Sequence, residues 1–159
     1  MRAIEWEAEM SVGLAQLDDD HKGLIAIINR LEAVREAGGP EASAEIARAL
    51  VALGRYVERH FGREEAVLDA VGYRDLTDHR RKHADFVTEL HGLAVAFEAR
   101  RDPALAEDLV RFLTGWLIHH ILIEDMAYRP LVTGNPTARQ AAERYTGRAL
   151  SRSDRVHSS

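Results

Sequence analysis

The chain has 159 residues, 46% of them hydrophobic, enough for one well-packed core and too few for two domains of ordinary size. It has no cysteine, which excludes disulfides, iron–sulfur clusters, thiolate zinc sites and a cysteine nucleophile, so any metal must be held by His, Asp or Glu. A formal net charge of −5 gives no overall attraction to nucleic acid or to an anionic membrane, and the eight histidines are the unusual part of the composition. No apolar run approaches the roughly 20 residues of a membrane-spanning helix, and the Met1 end lacks a basic stretch leading into a hydrophobic one. A soluble, cytoplasmic protein is expected.

Residues 1 to about 17 lack clean periodicity and contain Gly13, which predicts an extended arm laid on the domain. From Leu17 the inward positions run Leu17, His21, Leu24, Ile28 and Leu31, in alternating steps of four and three, until Gly38-Gly39-Pro40 stops the helix. A second helix follows Ile46, Leu50, Leu53, Val57, His60, Glu64, Val67 and Val71, ending near Gly72. The third follows Leu76, His79, His83, Phe86, Leu90, Leu93 and Phe97 as far as Asp102-Pro103, where proline suits the first turn of a new helix. The fourth follows Leu105, Leu109, Phe112, Trp116, then His119 or His120, then Ile123, and closes before Pro130. Four amphipathic helices with short connections predict an all-α, up-down-up-down four-helix bundle spanning residues 1–132. Residues 133–159 read as a polar, mildly basic tail, with a short helix in ARQAAERY and disorder after it.

An unpaired polar group in a bundle core costs a few kcal/mol, so these seams are normally aliphatic or aromatic. Here they carry His21, His60, Glu64, His79, His83 and one of His119 or His120. One histidine on a seam is ordinarily a satisfied core residue; five, supplied by all four helices, point to a ligand set. His60 and Glu64 are four residues apart, as are His79 and His83, which sets each pair on one face of its helix. Imidazoles and a carboxylate without sulfur suit iron, copper, nickel, manganese or zinc.

The run Ile4-Glu5-Trp6, Ser11-Val12-Gly13-Leu14 and Asp18-Asp19-Asp20-His21-Lys22 resembles the opening of bacterial hemerythrins. His60-Phe61-Gly62-Arg63-Glu64-Glu65, then His79 and His83, then Trp116 through Asp125 resemble that family's remaining motifs in the same order. The resemblance covers residues 1 to about 130. It implies that His79, His83 and His120 ligate one iron, that His21 and His60 ligate a second, and that Glu64, Asp125 and an oxo or hydroxo group bridge them. Asp20 departs from it, standing where glutamine is common, as do Leu68 for methionine and Arg74 for proline. Counting ligands on this basis fills the first iron to six and leaves the second at five, with one position open for O2. Reversible oxygen binding rather than enzymatic oxidation is therefore expected, in part because the Glu-x-x-His pairs of ferritin-like oxidases are absent.

Leu24, Phe61, Trp116, Ile121 and Leu122 adjoin ligands in sequence and are expected to wall the oxygen site. The fourth helix poses a conflict: at about 100° per residue, Glu124 lies near the direction of His120 and Asp125 about 140° away, whereas the resemblance selects Asp125. A π-type turn would reconcile the two. His91 and His157 read as surface residues, Glu65 as a boundary carboxylate and Asp18 as a cap for the first helix. A diiron enzyme and a signalling module that docks a protein partner through the basic tail are the alternatives from other classes. A structural zinc fits poorly, since seven ligands exceed the usual four.

Overall fold

The computed structural model of the chain describes residues 3–146; His157 and the segment expected to be disordered lie outside the described residues. Four long helices, α1 (Ala15–Ala37), α2 (Ala42–Ala70), α3 (Leu76–Arg100) and α4 (Pro103–His119), form the bundle. Each packs on its chain neighbours and α4 closes the ring against α1. A π-helical turn at His120–Glu124 and a 3-10 turn at Asp125–Ala127 continue α4, followed by α5 (Arg129–Val132) and α6 (Pro136–Arg144). No strand occurs among the described residues.

Helix limits follow local chemistry. Gly72, at φ 71°, closes α2: its own N–H reaches the carbonyl of Asp69 and the N–H of Tyr73 reaches that of Leu68, the double bond of a Schellman cap. Asp102 caps α4 by accepting from the Ala104 N–H ahead of Pro103, and Asn135 caps α6 in the same way at Thr137 and Ala138. Leu14, not Asp18, occupies the N-cap of α1, and it supplies no side-chain bond there. Asp18 ties down the arm instead, accepting from the Ser11 hydroxyl at 2.6 Å and the Val12 N–H at 2.8 Å. The arm is extended except for one 3-10 turn at Ala8–Met10, and Asn29 bonds both backbone groups of Ile4.

The core falls into two apolar clusters. One runs through the body of the bundle around Leu31, Leu53, Phe97, Leu109 and Leu113. The other joins Val12 and Leu17 to Leu68, Tyr128, Val132 and α6. On α1, α2 and α3 the polar seam residues fall between these clusters: His21 between Leu17 and Leu24, His60 and Glu64 between Val57 and Val67, His79 and His83 between Leu76 and Phe86; after α4, His120 falls between Leu117 and Tyr128. A buried polar layer thus lies between two hydrophobic ones, which shield it from water at both ends.

Packing continues beyond residue 132, where the tail was expected to begin. Ala138 and Ala142 on α6 are buried against the second cluster. Tyr145, just past α6, approaches Gly62 so closely that a Cβ there would lie 1.9 Å from its hydroxyl. On α4 the buried face is Ala106, Leu109, Val110, Leu113 and Leu117, so Leu105, Phe112 and Trp116 flank the core rather than fill it.

Candidate metal centre

Glu64 lies at the middle of the polar layer, fully buried, and its two oxygens face different histidines. Oε1 faces α3 and α4: His83 Nε2 at 3.1 Å, His120 Nε2 at 3.6 Å, and His79 Nε2. Oε2 faces α1 and its own helix, with His21 Nε2 at 3.6 Å and His60 Nε2 at 3.4 Å. Asp125 repeats the division from the opposite side. Its Oδ1 lies 3.0 Å from His120 and 3.4 Å from His79, and its Oδ2 lies 3.2 Å from His21. Two groups of donors result, Glu64 with His79, His83 and His120, and Glu64 with His21 and His60; within each group the ligand atoms lie within 4.8 Å of one another.

Asp125 reaches this position because of the π-helical turn. One extra residue in the turn delays the helix, so Asp125 comes inward, while Ile123, expected on the seam, is 61% exposed. Glu124, which ideal helical geometry selects, goes instead to the outer nitrogen of His120, with Oε2 2.6 Å from Nδ1. His120 is buried and His119 faces out, which settles the choice between them.

Several of these atoms are buried without a hydrogen bond: both nitrogens of His21, Nε2 of His60 and both oxygens of Asp125. The separations of Asp125 from His21 and His120 are short, but the groups do not point along hydrogen-bonding directions at one another. Leaving such a set unsatisfied costs a few kcal/mol per group unless something else binds it. A cation fits this requirement. Five neutral imidazoles and two carboxylates that converge on shared points, without sulfur, are the donor set of a divalent or trivalent transition metal.

The electrostatics agree. Burial by itself raises the Glu64 carboxyl, but His120, His21, His79 and His83 together hold it well below the usual range. At His21 burial opposes the charged form, and Asp125 and Glu64 outweigh it, lifting the imidazole to about 9. At His60 burial prevails and its pKa is lowered. In the absence of metal the layer therefore retains protons that a metal must displace.

The structure also shows what stands behind the histidines and Glu64, which the helical pattern did not reveal. His83 Nδ1 lies 3.1 Å from Glu65, so the expected boundary carboxylate reaches a histidine of the polar layer. His60 Nδ1 lies 3.1 Å from Asp20, and Tyr128 donates its hydroxyl to Glu64 Oε2 at 3.1 Å. The pairs are legible only after folding, because Asp20 is 40 residues from His60 and Tyr128 is 64 from Glu64. The one sequence signal was Asp20 itself, in a place where glutamine is common.

Of the expected wall residues, Leu24, Phe61 and Ile121 are buried. Phe61 stacks on His83 at 3.7 Å with an interplanar angle of 2°, and Trp116 stacks on His120 at 4.3 Å and 16°. Leu24, Phe61 and Trp116 border a cavity of about 10 Å³ with an aliphatic and aromatic lining. Such a lining does not supply the two to four polar partners that a buried water needs. Leu122 does not belong to this wall: the π-helical turn leaves it 37% exposed at the surface. His91 is exposed on α3, as expected.

A helical bundle with a buried layer of five histidines and two carboxylates defines a metal-binding helical protein. Residues 12–132 match the family model described as the hemerythrin HHE cation binding domain, and the chain belongs to the hemerythrin family. It is 32% identical over 126 residues to a hemerythrin-like protein of Naegleria gruberi, covering 79% of this chain and 91% of that one. It is 31% identical over 134 residues to a bacteriohemerythrin of Methylococcus capsulatus, covering 84% and 99%. A crystal structure of wild-type hemerythrin superposes with a TM-score of 0.74 at 31% identity, covering 83% of this chain and 99% of that one. No helix among the described residues is long and apolar enough to cross a membrane.

Proposed function

We propose that this chain holds two iron ions in its polar layer and binds O2 reversibly there, as an oxygen carrier, store or sensor rather than as an enzyme. The observation that carries the reading is the unequal division of donors. Glu64 and Asp125 each offer one oxygen to either side, while three histidines face one side and two the other. Iron held by these residues would supply a reducible pair, and the side of His21 and His60, with one histidine fewer, is where an exogenous ligand would be taken.

The protein's own residues do the rest. His79, His83 and His120 saturate one side and leave no room for an exogenous ligand. Glu64 and Asp125 hold the two sides at a fixed separation. Leu24, Phe61 and Trp116 keep water, a competitor and a proton source, from the approach. The hemerythrin-family relatives and the cluster of histidines with Glu64 support this reading.

The test is an anaerobic optical titration of the reduced, iron-loaded protein through several oxygenation cycles, with iron analysis beforehand. Two irons per chain and a spectrum restored each time oxygen is withdrawn are expected. Irreversible oxidation at the first exposure, with rapid consumption of reductant afterwards, overturns the carrier reading in favour of a diiron enzyme.

A further inference from the structure

Three carboxylates stand behind the histidines, and each is itself paired with a cation. Glu65 on His83 is met by Arg80 at 3.3 Å, and Glu124 on His120 by Lys82 at 3.5 Å. Both of those cations are substantially exposed, so solvent and salt screen them. The third pair differs: Asp20 and Arg63 are bonded to each other, with Asp20 buried and the Arg63 side chain 19% exposed. Arg63 also lies over the Tyr145 ring at 5.9 Å, and its Nε is buried without a partner. Tyr56 fixes the Asp20 backbone by donating to its carbonyl at 2.9 Å.

The third pair serves the two-histidine side alone. His60 gives its Nδ1 to Asp20, which leaves Nε2 as the unprotonated nitrogen aimed into the layer, where it has no hydrogen bond. His21, the other histidine on that side, has no hydrogen bond at either nitrogen. Among the described residues Asp20 is therefore the one outer carboxylate acting on that half.

We infer that Asp20 is a positioning residue that fixes the His60 tautomer and strengthens its donation to the iron with the open place, and that Arg63 tempers this effect. The inference rests on the diiron reading above. A carboxylate behind a ligating imidazole makes it the more basic ligand and favours the higher oxidation state, while a cation on that carboxylate withdraws part of the effect. The two residues thus act with opposite sign on one quantity, the tendency of the iron pair to stay oxidised. That differs from a packing role, in which loss of either partner has the same consequence.

The test measures the diferrous–diferric midpoint potential of full-length, iron-loaded protein by optical redox titration, in wild type, Asp20→Asn, Arg63→Gln and the double variant. Asparagine keeps the size of Asp20 and can still accept from Nδ1, but it carries no charge. Its midpoint is expected to rise by the equivalent of about a tenfold change in the equilibrium constant of this two-electron couple, about 30 mV. Arg63→Gln is expected to lower the midpoint by a similar amount, and the double variant to return close to wild type. Equal midpoints with iron retained, or two shifts in the same direction, overturn the inference and leave the diiron reading standing. If Asp20→Asn sheds an iron, Arg63→Gln decides: a lowered midpoint supports the inference and an unchanged one overturns it. A wild-type chain that binds no iron removes both the functional reading and this inference.

Discussion

The two halves of the polar layer are built differently although they share Glu64 and Asp125. On the side of His79, His83 and His120, the outer nitrogens of His83 and His120 meet carboxylates, and Phe61 and Trp116 stack on the same two rings. On the other side, among the described residues, His60 alone is held from behind, and neither ring nitrogen of His21 has a hydrogen bond. The more elaborately braced half is the one that three histidines face. On the proposed diiron reading, the bracing is concentrated where nothing needs to enter, and the less braced half is the one left to accept a ligand.

The largest effect should come from removing what the halves have in common. Glu64→Ala deletes the side chain at the middle of both donor groups and leaves five imidazoles with Asp125 as the remaining shared carboxylate. Iron content is expected to fall from two per chain to none, with a melting temperature well below wild type, because metal binds only the folded state. Retention of one iron would show that the halves bind independently, and the comparison would need to be redrawn.

Asp125→Ala against Glu124→Ala comes next. Asp125 faces both halves, so its loss should release at least the iron held by His21 and His60. Within the polar layer Glu124 reaches the outer nitrogen of His120, with Lys82 on its other oxygen, so its loss should leave two irons bound with affinity weakened by about 10- to 100-fold. Iron analysis after a graded chelator challenge separates these outcomes, and the reverse order would return the inner role to Glu124.

A smaller effect, dependent on pH, runs across both halves and separates His60 from the other histidines. His21 is lifted to about 9 in the metal-free chain, so its protonated form stabilises the fold fully below the unfolded value of 6.5 and loses that contribution as pH rises through 9. His83 and His120 are raised as well and act in the same direction. His60 is lowered, so its effect lies on the acid side, where stability falls as pH drops below 6.5. At 1.36 kcal/mol per pH unit, the His21 contribution alone is roughly 3 kcal/mol, or roughly 10 °C in melting temperature between pH 6.5 and 9.5. Iron-loaded protein should lack this alkaline decline, since metal has replaced the protons. Parallel thermal scans check it, and equal slopes for the two forms would contradict it.

What was legible in advance follows a similar division. The four long helices, and the places of His21, His60, Glu64, His79 and His83, were readable because helical periodicity is local and a buried layer interrupts it at fixed steps. Position 125 was not readable from periodicity, because the π-helical turn breaks the phase that the reading assumes; only the resemblance selected Asp125. The same break explains why Leu122 and Ile123 lie at the surface. Asp20, Glu65 and Glu124 were invisible as supports because each is a charged residue near the edge of a helical face, where the pattern predicts solvent. Their partners lie on other helices or, for Glu124, behind a distorted turn. Packing of α6 was obscured by its alanines, which fit close against α2 but score weakly as core.

The smallest expected effect concerns Tyr128. Its ring is fully buried, about 6 Å from those of Tyr73 and His79, and its hydroxyl donates to Glu64 Oε2, the oxygen that faces His21 and His60. Burial lifts its pKa well above the usual tyrosine value, with Asp125 and Glu64 adding to the rise, so it stays a donor at any ordinary pH. Tyr128→Phe keeps the ring and removes one hydrogen bond to a charged acceptor, worth about 1.5–3 kcal/mol. Because Oε1 is untouched, the weakening should fall on one half only. In a chelator challenge the variant is expected to lose one iron about tenfold faster than wild type and the other at the wild-type rate. Loss of both irons at a common, faster rate would mean that Glu64 transmits the change across the layer, and loss at the wild-type rate would reduce the hydroxyl to a filler of space.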